Sequence, residues 1–266
     1  ENFNDRILEE NGRAHRSPEV YRAYEWATRL DFRSINVDLI AGMVGETNEN
    51  WRENIRRTIE LSPDSVTIYQ MELPYNTIYS KDVTSEYSPV ADWKTKREWV
   101  DFAFAELQAA GYHVSSAYTL VKRPDVRFVY RDGLWHGADL LGAGVSSFGH
   151  LSGIHYQNEP NIDAYCDKIE RGEHPWQRAF PTTSRQRMIR ELILQLKTGA
   201  IERGYFANKF GSDPLEAFPG VIDQYRAKGL LTTDETHVRL TREGLLRADA
   251  MLEAFFDPDH RGARYT

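Results

Sequence analysis

INVDLIAGMVGET, residues 35–47, decides the reading of this chain. Its first half is a β-branched and aliphatic run broken by one acid, Asp38, and a short continuous apolar run of this kind reads as a strand buried on both faces. Gly42 and Gly45 then open a turn. Thr47 is placed to cap a helix that carries Trp51, Ile55 and Ile59 and stops at Ser62-Pro63. A second apolar run, Val66 to Tyr69, follows, so the unit is strand, helix, strand, the repeat of parallel sheets and α/β barrels. Ligands in such folds sit at the carboxyl ends of the strands. Asp38 lies just before that end, and a buried strand acid requires a partner.

Composition narrows the function. The chain has 266 residues, 41% of them hydrophobic, enough for a full core and a small second domain. No apolar run approaches the roughly 18 residues of a membrane span, so no membrane association is expected and a cytoplasmic setting is. Aromatic residues at 12% and 11 dispersed prolines argue for a folded chain. A net charge of -7 disfavours a large nucleic-acid footprint and points to a small-molecule ligand. The single cysteine, Cys166, excludes an internal disulfide framework and any cluster held by several thiolates of this sequence. The sequence begins at Glu1 and reads as part of something longer.

Taken in order, Asn4 to Glu10 is a predicted short helix ended at Asn11-Gly12, with Arg13 and His15 on the loop after it. Ser17-Pro18 starts a second helix whose Val20, Tyr21, Tyr24, Ala27 and Leu30 form one stripe expected to be buried. The strand from Val66 is expected to run to Pro74, followed by an irregular loop or lid over 75–91 rich in Tyr, Ser and Thr. A long helix is expected from Asp92 to Ala110, ended by Gly111, and a strand from Val114 to Leu120. The stretch from 128 to 158 is glycine-rich around Gly142, Gly144 and Gly149, where a backbone can approach a ligand or another strand. Asn161 to Arg171 is a predicted helix, and Gly172-Glu173-His174-Pro175 is the expected domain boundary, giving domains 1–174 and 175–266. The second domain reads as helices from Ser184, from Glu202 to Phe210 and from Pro214 to Lys228, a hairpin around Thr233-Asp234-Glu235, and a last helix from Thr241 to Phe256. Three helices and a hairpin make a winged-helix arrangement.

Two residues stand out as candidates. Asp38 can meet Arg13 in a buried ion pair, or the two can share a polar ligand, the acid taking ribose or amine donors and the guanidinium a carboxylate. GAGVSSFG, 142–149, is not a G-x-G-x-x-G phosphate cradle and reads equally as tight strand packing. His113, His136, His150 and His155 have no metal-ligand spacing on one helix face, although His150 and His155 flank the glycine stretch, so no metal site is expected. Cys166 reads as a buried inert thiol. The sequence identifies no catalytic residue.

The pieces FNDRILEENGR (3–13), INVDLIAGMVGET (35–47), VTIYQMELP (66–74), DLLGAGVSSFGHLSGIHYQN (139–158) and LTREGLL (240–246) together resemble the oxygen-independent coproporphyrinogen III oxidase family of radical S-adenosylmethionine enzymes, which includes heme chaperones and class C methyltransferases. The resemblance implies an α/β fold, a partial (β/α) barrel of the radical SAM type followed by a small helical winged-helix-like C-terminal domain. It implies S-adenosylmethionine and a [4Fe-4S] cluster as cofactors of a full-length enzyme, with this sequence its back portion. Arg13 then corresponds to the arginine that reaches the S-adenosylmethionine carboxylate and Asp38 to the strand-end acid, with Met71 and Phe148 lining the adenosine and substrate side. The chain departs from the family at Gln70-Met71, where tyrosine-alanine is usual, and at Glu1, where a glutamine is. The family's C-x-x-x-C-x-x-C motif is absent, so this chain is expected to be inactive alone. The implied chemistry is a 5′-deoxyadenosyl radical acting on a tetrapyrrole or aromatic substrate, with flavodoxin or ferredoxin as electron donor. A heme-handling chaperone of the same family is the alternative, and a winged-helix DNA-binding regulator is a more remote one.

Overall fold

The computed structural model describes residues 1–72 and 90–262. The residues past Glu72 at the end of the second strand, and all but the last two of the expected loop over 75–91, lie outside the described residues. The chain divides into two compact units, Glu1–Arg127 and Phe128–Thr266.

In the first unit, α1 (Asp5–Glu10) is capped by Asn4, whose side chain accepts from the amides of Arg6 and Ile7. Helix α2 (Ser17–Arg29) begins one residue after the cap Arg16, whose amide is held by the Glu19 carboxylate at 2.9 Å. Its expected stripe is not buried. Val20, Tyr24 and Ala27 are half-covered and Leu30 is 69% exposed; α2 is held by the Tyr21 ring against Phe3, the Tyr24 hydroxyl on the Leu61 carbonyl and the Ser17 amide on Asp5. Strand β1 (Asn36–Ala41), helix α3 (Asn48–Leu61) and strand β2 (Ser65–Gln70) form the expected unit, and the two strands pair in parallel, Asp38 opposite Thr67 and Ile40 opposite Tyr69. Thr47 caps α3 through the Asn50 amide, and Ser62, at φ +56°, ends it before Pro63. Trp51 and Ile55 bury against α4 (Trp93–Ala109), whose Trp99 backbone carbonyl accepts the Trp51 indole N–H at 2.8 Å.

The strand expected over Val114 to Leu120 is instead two short ones, β3 (His113–Val114) and β4 (Thr119–Val121), joined by a tight turn at Ser115–Tyr118. Four residues between strands can only reverse the chain, so β4 runs antiparallel to both β3 and β2. The sheet order is β1-β2-β4-β3, which leaves β1 at an edge. Only Leu39 and Ala41 of β1 are fully buried, and the strand is therefore not covered on both faces as its composition suggests.

The second unit opens with α5 (Val129–Trp135) and a three-stranded antiparallel sheet of β5 (Phe148–Leu151), β6 (Ile154–Asn158) and β7 (Trp176–Pro181), with α6 (Ile162–Glu170) between the last two. A boundary was expected at 174/175, yet β7 pairs along β6, so the segment after residue 174 first completes this sheet. Beyond it stand α7 (Ser184–Leu196), β8 (Ala200–Glu202), α8 (Arg203–Phe210), α9 (Pro214–Ala217), α10 (Pro219–Ala227), β9 (Leu231–Thr233), β10 (His237–Leu240), α11 (Arg242–Leu246) and α12 (Ala248–Leu252). The helix expected from Pro214 to Lys228 breaks at Phe218, since Pro219 restarts the turn. The wing is larger than the hairpin alone: β8 adds to it in the order β8-β10-β9. Met188, Leu192 and Leu196 of α7 join Phe206, Ile222, Leu231 and Val238 in one apolar core.

Gly244 shows how tightly the wing is closed. A β-carbon there would collide with the Leu230 backbone carbonyl, a group that cannot swing aside. Gly→Ala within a helix ordinarily adds about 1 kcal/mol of stability. Gly244→Ala is expected instead to cost about 1–3 kcal/mol by overpacking, read as a lower melting temperature; a raised one would contradict this packing.

Candidate functional site at the rim of the first strand

The loop after α1 turns at Gly12, φ +67°, and delivers Arg13 beside the carboxyl half of β1. Glu1 arrives there too, because its carbonyl accepts the Ile40 amide at 3.2 Å and so extends the sheet edge past β1. The Arg13 Nε then lies 2.6 Å from Glu1 Oε2. Both atoms are shielded from water and have no hydrogen-bond partner, so the contact is a close ion pair without hydrogen-bond alignment. Arg13 is thus paired, with Glu1 and not with Asp38.

Asp38 is exposed, contrary to the expectation of a buried acid. The edge position of β1 lets its side chain stand in solvent, where Asn36 donates to it at 2.6 Å. It remains part of the same rim: its charge adds to burial in raising the Tyr69 hydroxyl pKa. Met71 follows directly from β2, its amide donating to the Ala41 carbonyl at 2.8 Å and its carbonyl accepting the Lys96 ammonium at 2.6 Å.

Lys96 reaches Met71 by lying across Gly42, whose φ of +93° and missing side chain make the room: a β-carbon there would come within 2.6 Å of the lysine stem. Burial lowers the Lys96 pKa, opposed by the charges of Glu72 and Asp92. The turn itself closes on Glu46. One of its carboxylate oxygens accepts the Gly42 and Met43 amides at 2.7 and 3.2 Å, the other the side-chain amides of Asn2 and Asn54 at 2.9 and 3.2 Å. Burial pushes the Glu46 pKa up to about 7 in spite of these four donors.

Met71 belongs to the first unit and Phe148 to the second. Phe148 begins β5 with its ring half-exposed, stacked on His155 at 5.5 Å between centroids. The glycine stretch before it is a packed turn. Gly142 and Gly144 donate to the hydroxyls of Tyr156 and Tyr165, and both their carbonyls accept from the buried Asn158 side chain. Cys166, expected to be buried, is exposed on α6. Among the described residues no group of three His, Cys, Asp or Glu is placed to hold a metal ion.

Residues 182–247 match the HemN C-terminal domain family. Along nearly its whole length the chain is similar to the heme chaperone HemW of Bacillus subtilis, 24% identical over 95% of this chain and 67% of that protein. It is likewise similar to the oxygen-independent coproporphyrinogen III oxidase of Synechocystis, 26% identical over 93% of this chain and 54% of the relative. The chain is thus similar to coproporphyrinogen III oxidase and HemW proteins alike. In three dimensions it matches the solved Escherichia coli coproporphyrinogen III oxidase HemN, a radical SAM enzyme, with a TM-score of 0.79 at 19% identity over 96% of this chain and 62% of that one. The chain therefore shares the mixed α/β fold of the matched part of that structure, and it spans just over half to two thirds of these relatives' lengths. Among the described residues no helix is long and apolar enough to cross a membrane.

The coproporphyrinogen oxidase resemblance does not single out Glu46 or Lys96, and the sequence reading passed over both. Lys96 had a signal, since it falls on the apolar face of α4 with Trp99, Val100 and Ala103, where a cation needs a purpose. Glu46 had none, because a glutamate before a helix cap is ordinary. Its raised pKa makes a pH prediction. The folded chain keeps a proton that the unfolded chain releases near 4.5, so this group's stabilisation falls as pH rises from about 4.5 to about 7 and then levels. The fall is on the order of 3 kcal/mol at 1.36 kcal/mol per pKa unit. Urea unfolding of the parent and Glu46→Gln across that range should show the slope only in the parent; equal slopes would contradict the assignment.

Proposed function

We propose that the chain is the back portion of a radical S-adenosylmethionine protein acting on a tetrapyrrole, and that the β1 rim takes the amino-acid end of S-adenosylmethionine. One observation carries this reading. Arg13 already grips a carboxylate at the rim, that of Glu1, and no second carboxylate pairs with it among the described residues. The Glu1 group stands in for the ligand's own carboxylate, which would take its place beside the guanidinium. Asp38, open to solvent beside it, offers acceptors to an ammonium or to ribose hydroxyls. Met71 contributes a polarizable apolar surface next to a backbone pinned by Lys96.

S-adenosylmethionine supplies the hydrogen-atom abstraction that such enzymes perform on a substrate carbon. This chain's share is to bind and orient. The residues present do not fit a [4Fe-4S] cluster: the sequence has one cysteine, and it stands exposed on α6. No step is therefore assigned to a cluster here, and alone the chain is inferred to bind without turnover. The tetrapyrrole class rests on the relatives, since both coproporphyrinogen III oxidase and heme chaperone name one. Electron supply by flavodoxin or ferredoxin and a cytoplasmic setting belong to the same reading. A heme-carrying role is the second reading, favoured by the near-complete coverage of this chain by HemW. A DNA-reading role is not favoured, because Arg226 of α10 is spent on Asp223 at 2.7 Å.

Calorimetric titration with S-adenosylmethionine tests the rim. Arg13→Ala and Asp38→Ala are each expected to weaken binding about tenfold or more, equivalent to about 1.4 kcal/mol. Glu1→Gln is expected to tighten it by releasing Arg13. Unchanged affinity in both alanine variants would contradict the assignment.

A further inference from the structure

A cavity of about 340 Å³ lies within the second unit, between the β5-β6-β7 sheet and α7. The sheet register puts His150, His155 and Phe180 in one cross-strand row, and all three side chains enter the lining. Ile189 and Ile193 of α7, with Phe256, complete an apolar wall. Arg190, between those two isoleucines, lines it as well.

Two polar groups in this cavity, His150 and Arg190, are poorly matched by the protein itself. His150 is 5% exposed, and its Nδ1 is buried without a hydrogen-bond partner. Arg190 makes one long bond, 3.4 Å from Nη1 to the Leu134 carbonyl, and no carboxylate pairs with it among the described residues. Its neighbour Glu191 is committed to Lys209 at 2.9 Å. Asp257, the acid in the lining, is committed to Arg185 at 2.8 Å. A half-buried guanidinium without a counter-ion and a buried imidazole nitrogen without a partner are each costly. Consistent with that cost, burial lowers the Arg190 pKa, and burial followed by the Arg190 charge lowers those of His150 and His155.

We propose that this cavity is a binding site for an amphipathic carboxylate, its acid group on Arg190 and His150 and its apolar body against Ile189, Ile193, Phe180 and Phe256. A carboxylate supplies the missing counter-ion and an acceptor for an Nδ1–H. The volume falls at the small end of ligand pockets, which suits an aromatic or short-chain acid. The proposal rests on none of the β1 rim residues.

The test uses the full chain, 2-naphthoate as probe and 2-naphthamide as its neutral twin, read by calorimetry and by the imidazole resonances of His150 and His155. The acid is expected to bind one-to-one and to shift both imidazoles, with the amide about tenfold weaker. Arg190→Gln should bring the acid down to the amide's affinity, and Arg190→Lys should retain most of the difference. Ile193→Trp, which fills the cavity from the apolar side, should abolish binding of both, and it decides the matter if Arg190→Gln does not fold. Equal binding of acid and amide, undiminished binding in Ile193→Trp, or no imidazole shift up to the solubility limit of the acid would overturn the proposal.

Discussion

One carboxylate holds the turn on which the first unit depends. Glu46 reaches back from the start of α3 to gather the Gly42 and Met43 amides with one oxygen and two asparagine side chains with the other. The chain leaving β1 would otherwise bury those amides unpaired, since the turn has no ladder partner of its own. Asn2 ties Glu46 to the segment before α1, and Asn54 ties it to α3, where it also accepts the Phe3 amide at 2.9 Å. Strand, helix and leading segment therefore share one anchor. Gly42 and Gly45, both at positive φ, are the backbone condition for it.

That anchor sets the geometry of the rim. With the leading segment fixed, Glu1 pairs beside Ile40, and Gly12 turns Arg13 back toward it. With the turn fixed, Lys96 can cross Gly42 to the Met71 carbonyl and hold the end of β2. The result is a cation, two carboxylates and a fixed backbone edge at the strand ends, the place where α/β folds bind their ligands. In the proposed reading this rim takes the amino-acid end of S-adenosylmethionine.

Much of this was legible in the sequence. The parallel strand pair, the Thr47 cap, the Ser62-Pro63 stop and the C-terminal helices with their hairpin follow from periodicity and cap chemistry, which are local. What was not legible depends on where elements sit in the sheet. Asp38 reads as buried only if β1 is interior; at an edge the same residue is a solvated acid. The α2 stripe reads as core only if something covers it. Arg13 stands beside β1, but its partner Glu1 lies twelve residues away and is set by tertiary pairing. Lys96 and Glu46 owe their roles to neighbours 25 and 44 positions distant, Met71 and Asn2.

Hydrogen exchange of the backbone amides, with and without S-adenosylmethionine, tests the central claim most directly, because it maps the ligand without altering the chain. The account predicts slowed exchange at residues 11–14 and 38–42, where the leading loop and the end of β1 meet, with α6 and α12 unaffected. Slowed exchange confined to other segments, or none at saturating ligand, would contradict it.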